Sequence, residues 1–243
     1  MGLMVLATAQ ASASSEVATG ESPSGGQYAP EAPASVPTGH MQCMLTSLTN
    51  KWAPQDAQTA SDAFALAIKK MNLDPNKFNR TSMFHFLNMI TNETGGGKKL
   101  TQDPRPADPD KVGYGYAQIT HLKTLSKVGD CMNEVDPGSG KGVNEDPDGT
   151  IGQGAMKANP KEGSYKSMLA SLCYWRDNLV NNEGNQKYIT DASPSAVESV
   201  LRICGGGSPS GAIYGNDVQQ LQSLNIHQRT FSEVSSADRT CSQ

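Results

Sequence analysis

Residues 83–97 read MFHFLNMITNETGGG, and the predicted fold is built outward from this stretch. The apolar residues at 83, 86, 87 and 90 recur at helical spacing and form one stripe, on which Glu93 is the next position. The carboxylate is therefore expected at the boundary between core and solvent, where partial desolvation raises the pKa of a carboxyl group. A general acid that works near neutral pH needs such a raised pKa. Glu93 is accordingly the first candidate catalytic residue.

Three glycines at 95–97 follow the predicted helix, and a second distinctive stretch, GYGYAQIT, stands at 113–120. The glycines are expected to end the helix and to leave a floor without side chains, so that a bulky ligand can approach the backbone. A polar loop rich in Pro and Asp connects the two stretches. Their order along the chain, acid first and glycine-rich turn second, is more specific than either stretch alone.

Together the two stretches resemble the lysozyme superfamily. Glu-Thr-Gly-Gly followed by Gly-x-Gly-x-x-Gln-Ile-Thr is similar to plant-type chitinases (glycoside hydrolase family nineteen), which have His-Glu-Thr-Gly-Gly and Gly-Arg-Gly-x-x-Gln-Leu-Thr. It also resembles goose-type lysozymes and soluble lytic transglycosylases, which have Glu-Ser and then Gly-x-Gly-Leu-Met-Gln-Val. The chain departs from these patterns at Asn92 (His in the chitinases), Tyr114 (Arg) and Tyr116-Ala117 (Leu-Met in the transglycosylases). The resemblance implies a mainly α, lysozyme-like helical domain with a substrate cleft, in which Glu93 is the catalytic acid.

The resemblance also implies a second catalytic carboxylate on the loop between the two stretches, where it would activate water. Asp103, Asp108 and Asp110 are the candidates, and Asp108 and Asp110 are nearer to the turn at Gly113. The alternative is that all three are solvated turn residues in a loop rich in Pro and Asp.

Four residues of the second stretch are candidates for substrate binding. Tyr114 is flanked by two glycines, and a strand-like turn there would direct its ring into the cleft, where tyrosines stack on sugar faces; Tyr114 and Tyr116 could equally belong to the core. Gln118 and Thr120 would face the N-acetyl group or ring hydroxyls of the substrate. The structural alternative for Gln118 is that it holds the backbone of the catalytic loop.

The leading interpretation is an exported enzyme that cleaves β-1,4 links of peptidoglycan, as a lysozyme or muramidase. A lytic transglycosylase and a chitinase on the same scaffold are the alternatives, and a non-catalytic glycan-binding domain is the alternative of another class. Peptidoglycan is preferred to chitin because the Arg and Asn typical of the chitinases are absent. We expect a monomer that binds peptidoglycan or a related amino-sugar glycan, with no cofactor and no metal.

Composition limits the other classes of function. The chain has 243 residues, 36% of them hydrophobic, enough for one good-sized core. Its net charge is −4, and without basic tracts it is not expected to bind nucleic acid. No apolar run is long enough to span a bilayer, so no membrane association is expected.

The N-terminal region divides into two predicted segments. The short apolar run before Ala11-Ser12-Ala13 predicts a truncated signal peptide over residues 1–13, and residues 14–40 have the composition of a flexible linker. The catalytic domain is then expected over 41–243, and the protein is expected to be secreted or periplasmic.

Five cysteines without C-x-x-C spacing indicate disulfides rather than a zinc site. The expected pairs are Cys173 with Cys204, on consecutive predicted helices, and Cys43 with Cys241, joining the termini. Spacing alone does not determine the connectivity. A nucleophilic pair of Cys131 with His121 is the less favoured alternative to a structural half-cystine.

Helical periodicity predicts several further helices: Asp56–Met71, one capped by Thr81 and ending at Glu93, Ser164 to about Val180, one starting at Pro194, and Tyr214–Leu224 before a polar tail over 232–243. Residues 136–159 are expected to be a mobile loop at the cleft edge. Within them, Asn144-x-Asp146-x-Asp148-Gly149 matches the first half of a calcium loop. Its twelfth position is Ala155 instead of Glu, which argues against a calcium site.

Overall fold

The computed structural model describes residues 38–49, 52–74, 76–102, 111–204 and 218–242. Within these ranges the chain forms ten α-helices and two isolated β-bridges, so the predicted mainly α fold class is confirmed. The helices are α1 (Thr38–Ser47), α2 (Pro54–Met71), α3 (Arg80–Thr94), α4 (Leu122–Val135), α5 (Pro147–Ile151), α6 (Gln153–Ala158), α7 (Pro160–Trp175), α8 (Glu183–Ile189), α9 (Pro194–Cys204) and α10 (Val218–Cys241).

Helix α3 lies at the centre of the molecule. Every residue from Ser82 to Thr91 is buried, so the predicted apolar stripe is only one part of a helix that is enclosed on nearly all sides. The cap differs from the prediction, because Asn79, rather than Thr81, accepts a hydrogen bond from the backbone N–H of Ser82 at 3.0 Å. Gly95, at φ 61°, ends the helix in the left-handed conformation, as predicted.

The core is built from aromatic rings on three helices and their connections. Phe86 of α3 contacts Phe64 of α2 and the indole of Trp175 at the end of α7, with ring centroids 5.8 and 5.5 Å apart. Helices α2 and α7 pack against each other along their lengths. These ring contacts anchor α3 to α2 and α7 and so help to set the position of its last turn, which carries Glu93.

Helix α7 begins earlier and ends differently from the predicted helix over 164–180. Asn159 caps it by accepting from the N–H of Glu162, and Pro160 stands at its first position. After Trp175 the chain continues as a π-helical turn, Arg176–Val180. Such wide turns shift the register of the following side chains and are common near functional sites.

One of the two predicted disulfides is present. Cys43 of α1 is bonded to Cys241 of α10, as expected. The predicted Cys173–Cys204 pair is wrong, because Cys173 of α7 is bonded to Cys131 of α4, and Cys204 is a free thiol. Helix α4 packs directly beside α7, so the neighbour in space is not the neighbour along the chain. A Cys131 thiol acting with His121 is thereby excluded, since Cys131 is a half-cystine.

The C-terminal region is one long helix, not a short helix followed by a polar tail. Helix α10 packs against α1, α3 and α9. Its buried side combines Phe231 and Val234 with the polar residues His227, Thr230 and Asp238. This mixture hides the apolar period that periodicity analysis relies on. Side chains from α1 and α3 satisfy these buried polar groups, and Asp238 accepts from both His40 (2.9 Å) and Arg80 (2.8 Å).

Residues 136–159, predicted to be a mobile cleft-edge loop, form turns and the short helices α5 and α6. Val143 and Ile151 are buried in the core. The carboxylates of the calcium-like pattern have local roles: Asp146 caps α5 by accepting from Gly149, and Asp148 accepts from Thr101 and the N–H of Gly154. In the part of the chain that the structure describes, no three His, Cys, Asp or Glu side chains are grouped so that they could hold a metal ion.

At the N-terminus, the predicted signal peptide and most of the predicted linker lie outside the described residues. Helix α1 begins at Thr38, so the last three residues assigned to the linker belong to the folded domain. Among the helices described, none combines the length and the apolar character that crossing a bilayer requires.

Candidate functional site

A cavity of about 350 Å³ opens beside the last turn of α3. Its wall comes from four parts of the chain: the end of α3, the turn after Gly115 with the start of α4, the end of α7 with its π-helical turn, and the end of α9. The described residues that line it are Glu93, Ala117, Gln118, Ile119, Thr120, His121, Thr124, Tyr174, Asn178, Ile203 and Cys204. Glu93, Gln118 and Thr120 thus lie around one cavity, as the sequence predicts.

Glu93 lies at the point where α3 leaves the core. The residues from 89 to 91 are buried, whereas Glu93 itself is open to solvent through the cavity. Protein atoms nevertheless crowd around its carboxyl group, and this desolvation raises the pKa of Glu93 to about 7. Water in the cavity screens part of the effect, so a ligand that displaces this water is expected to raise the pKa further. Among the described residues, none donates a hydrogen bond to the carboxylate or pairs with its charge.

The turn that faces Glu93 depends on two glycines. Gly115 has φ +73°, a conformation that side chains disfavour. Gly113 makes room for its neighbour across the turn, because a Cβ there would approach Oε1 of Gln118 to 2.8 Å. Tyr114 forms β-bridges with Thr101 and Ile119, which join the turn to the chain leaving α3. The two glycines therefore serve the fold of the turn.

Gln118 has the structural role weighed for it. Its Nε2 donates to the carbonyl oxygens of Lys99 (3.1 Å) and Gly115 (2.9 Å), so the side chain holds the backbone on both sides of the turn. It also lines the cavity, as does Thr120. The predicted contact of these two residues with a substrate stays a prediction.

The two tyrosines of the turn do not reach the cavity. Tyr116 is 2% exposed; its ring stacks on Trp52 with centroids 5.9 Å apart, and its hydroxyl is 2.9 Å from Oγ of Ser164. It is a core residue, so its predicted role in substrate binding is wrong. Tyr114 is half-buried and packs against the core rather than lining the cavity. The candidate second carboxylates Asp103, Asp108 and Asp110 lie outside the described residues.

The glycines after Glu93 also differ from the prediction. None of the three is among the residues lining the cavity. Gly97, at φ +80°, lies against the indole of Trp52, where an added Cβ would come within 2.5 Å of the ring. Gly97 thus makes room for a core tryptophan, whereas a Cβ at Gly95 would meet nothing within 4 Å.

Among the lining residues that were not predicted as site residues, three polar ones come from the end of α7, its π-helical turn and the end of α9. Tyr174 lies at the end of α7, and its hydroxyl donates to the carbonyl of Cys204 at 2.9 Å. Asn178 follows in the π-helical turn and donates from Nδ2 to the carbonyl of Tyr174 at 2.8 Å. The sequence marked Cys204 only as the expected disulfide partner of Cys173. No local signal marks the other two, which lie next to a stripe of core residues.

The chemistry of the cavity is that of a neutral, hydrogen-bonding ligand site. Its described lining contains amide, hydroxyl and thiol groups and the imidazole of His121; Glu93 is the only carboxylate among these residues, and none of them is Lys or Arg. Burial first, and the nearby charge of Glu93 second, raise the pKa of the Cys204 thiol. Burial likewise raises the pKa of the Tyr174 hydroxyl. Both groups are therefore protonated at neutral pH and act as hydrogen-bond donors.

A second depression of about 580 Å³ lies between α2 and the start of α7. None of the predicted site residues lines it. Of its two carboxylates, Asp62 accepts from Nε2 of Gln58 at 2.9 Å, and Glu162 pairs with Lys166 at 2.8 Å, a contact that lowers the pKa of Glu162. A carboxylate held ionised by a lysine is a poor proton donor, so the cavity at Glu93 is the candidate site.

Comparison with known proteins adds no relative: no protein-family model matches the chain, and neither the curated proteins nor the solved structures contain a significant match.

Proposed function

We propose that this protein is a glycoside-cleaving enzyme that acts on β-1,4 links of peptidoglycan, with Glu93 as general acid. The observation that carries the proposal is a carboxyl group with a pKa raised to about 7, without a described charge partner, in a cavity that Gln118 and Thr120 also line. A carboxyl group that is partly protonated at neutral pH can protonate a glycosidic oxygen. The amides and hydroxyls around it suit the hydroxyl and N-acetyl groups of an amino sugar.

In the proposed reaction Glu93 gives its proton to the bridging oxygen while positive charge develops at the sugar ring. Two completions are open. In a hydrolase, Asp108 or Asp110, or a polar side chain, positions water on the opposite face of the ring. In a lytic transglycosylase, the 6-hydroxyl of the glycan itself closes the ring, and one protein carboxylate suffices. The two reactions leave different ends on the cleaved chain.

The lysozyme-like fold and the exported location belong to the same proposal. The two disulfides are typical of proteins that mature outside the reducing cytoplasm. Peptidoglycan lies in that compartment in bacteria, and chitin is the second candidate substrate. A domain that binds glycan without cleaving it is the competing proposal from another class.

The decisive experiment compares wild type with Glu93→Gln on purified, dye-labelled peptidoglycan. We expect wild type to release soluble fragments and Glu93→Gln to be slower by about 10²–10⁴-fold, the usual contribution of a general acid. Glu145→Gln is the matched control, because Glu145 is exposed and does not line the cavity. It should retain wild-type activity.

Mass spectrometry of the fragments then separates the alternatives. Anhydro ends indicate transglycosylation, and reducing ends indicate hydrolysis. Full activity of Glu93→Gln would show that Glu93 is not the acid. Inactive wild type that still pellets with the cell wall would support the glycan-binding domain instead.

A further inference from the structure

Helix α7 carries three buried serines on one face. Ser164, Ser167 and Ser171 stand at spacings of three and four residues, and each is 0% exposed. Serine has a low helix propensity, and its hydroxyl needs a hydrogen-bond partner when it is buried, so three buried serines on one helix need an explanation. The contacts of this serine face show why it lies in the core.

The serine face of α7 binds the backbone of the turn opposite Glu93. The backbone N–H of Tyr116 donates to Oγ of Ser167 at 3.1 Å, and that of Ala117 donates to Oγ of Ser171 at 3.0 Å. Ser164 contacts the hydroxyl of the Tyr116 side chain. Two consecutive N–H groups of a buried turn are thus satisfied by side chains of one helix, where no strand or helix partner is at hand.

These contacts connect two walls of the cavity. Ala117, held by Ser171, lines the cavity directly, and Gln118 is the next residue. One helical turn beyond Ser171, the same α7 carries Tyr174, which also lines the cavity. The serine contacts therefore determine how far the turn lies from the end of α7, and so the width of the cavity beside Glu93.

We propose that Ser167 and Ser171 are positioning residues for the proposed glycosidic cleavage, an inference that rests on the proposed function. By accepting hydrogen bonds from the N–H groups of Tyr116 and Ala117, they hold the turn that carries Gln118 at the distance at which a sugar bound there meets Glu93. Neither serine lines the cavity, so neither is a catalytic residue.

The test uses Ser171→Ala, with Ser61→Ala as its matched control. Ser61 is also a buried helical serine, 1% exposed, and its hydroxyl donates to the carbonyl four residues earlier, Ala57, at 2.7 Å. Ser171 makes the same contact with Ser167 at 2.8 Å, but it also accepts from Ala117. The difference between the two variants therefore isolates the contact with the turn.

Two measurements are made on each variant under conditions where it is folded. Amide hydrogen exchange, followed by NMR, should be at least tenfold faster at Ala117 in Ser171→Ala and unchanged there in Ser61→Ala. The kcat on peptidoglycan fragments should fall about tenfold in Ser171→Ala, as expected for a displaced binding wall, and remain near wild type in Ser61→Ala. Ser167→Ala, with faster exchange at Tyr116, replaces Ser171→Ala if the latter does not fold.

The outcomes separate this proposal from the function it rests on. If amide exchange at Ala117 is unchanged in Ser171→Ala, the serine contacts do not hold the turn, and the proposal is overturned whatever the activity. Faster exchange with unchanged kcat shows that the serine contacts hold the turn without affecting catalysis. This result overturns the positioning role, while the enzyme proposal stands. Inactive wild type overturns both the enzyme and the positioning role, and the exchange data then report only how the turn is held.

Discussion

Glu93→Gln should remove a pH-dependent penalty on stability that the wild-type protein carries. The pKa of Glu93 is raised from 4.5 to about 7 in the folded protein. An acid with a raised folded-state pKa favours folding while it is protonated in both states, and that contribution is lost as pH rises from 4.5 to 7. The neutral Gln does not titrate, so the stability of the variant relative to wild type should increase across this window.

The size of the effect follows from the place of the side chain. For a fully enclosed carboxyl a shift of this size would correspond to several kcal/mol, but Glu93 is open to solvent, and screening leaves about 1 kcal/mol. The same shift determines the supply of acid: the protonated fraction of Glu93 at pH 7 rises from about 0.3% for an unshifted glutamate towards about half as its pKa approaches 7. The kcat/KM of wild type should then fall about tenfold per pH unit above 7.

The assay is urea unfolding of both proteins at five pH values between 4 and 8, followed by fluorescence of the buried Trp52 and Trp175. The difference between the two proteins is needed, because burial also lowers the pKa values of His85 and His227 to about 4. Those histidines cost stability as pH falls from 6.5 to 4, and their contribution cancels in the difference.

Two results would refute this reasoning. One is a difference in unfolding free energy between wild type and Glu93→Gln that is flat from pH 4 to 8. The other is a kcat/KM that already declines near pH 4.5, as an ordinary solvated glutamate would dictate.

Three further predictions concern the frame that holds the site. Replacing Cys43 and Cys241 by Ser removes a cross-link between residues 198 positions apart, which restricts the unfolded chain, and should lower the free energy of unfolding in urea by about 5 kcal/mol. A loss below about 1 kcal/mol would contradict this argument from the entropy of the closed loop. Gly97→Ala drives a Cβ into the indole of Trp52 and should lower the free energy of unfolding by about 2 kcal/mol in urea, whereas Gly138→Ala, also at positive φ but with open space around it, should lower it by about 1 kcal/mol. Equal losses in the two variants would mean that the indole contact is unimportant. Asp238→Asn removes a buried charge that His40 of α1 and Arg80 of α3 both contact, and it should lower the free energy of unfolding by about 3 kcal/mol, measured by thermal unfolding near pH 6. Unchanged stability would show that these ion pairs do not stabilise the fold.

Local sequence patterns predicted the helices whose buried side is apolar. Helices α2, α3 and α9 follow their apolar periods to within a few residues, because burial of aliphatic and aromatic groups leaves a regular trace in the sequence. Helix α10 leaves a weaker trace, since His227, Thr230 and Asp238 share its buried side with apolar residues. Those polar groups are buried only because α1 and α3 supply their hydrogen-bond partners.

In the candidate site, too, some positions follow from the local sequence and others only from tertiary contacts. Glu93 was predicted because its position follows directly from the stripe on its own helix. Tyr116 was assigned to the substrate together with Tyr114, with a core position as the alternative; the hydroxyl of Ser164 and the ring of Trp52 hold it in the core. Nothing in the sequence around Tyr116 identifies these two partners, which lie on other elements.

By itself, the sequence determined that the chain is mainly helical and that a carboxylate stands where the apolar stripe of one helix ends, because helical period and capping are properties of neighbouring residues. Only the tertiary structure decided what surrounds that carboxylate. Tyr174, Asn178 and Cys204 join its cavity, and Cys173 pairs with Cys131, through the packing of α7 against its neighbours. Such contacts depend on shape and polar partnership between segments far apart in the chain, and no local period encodes them.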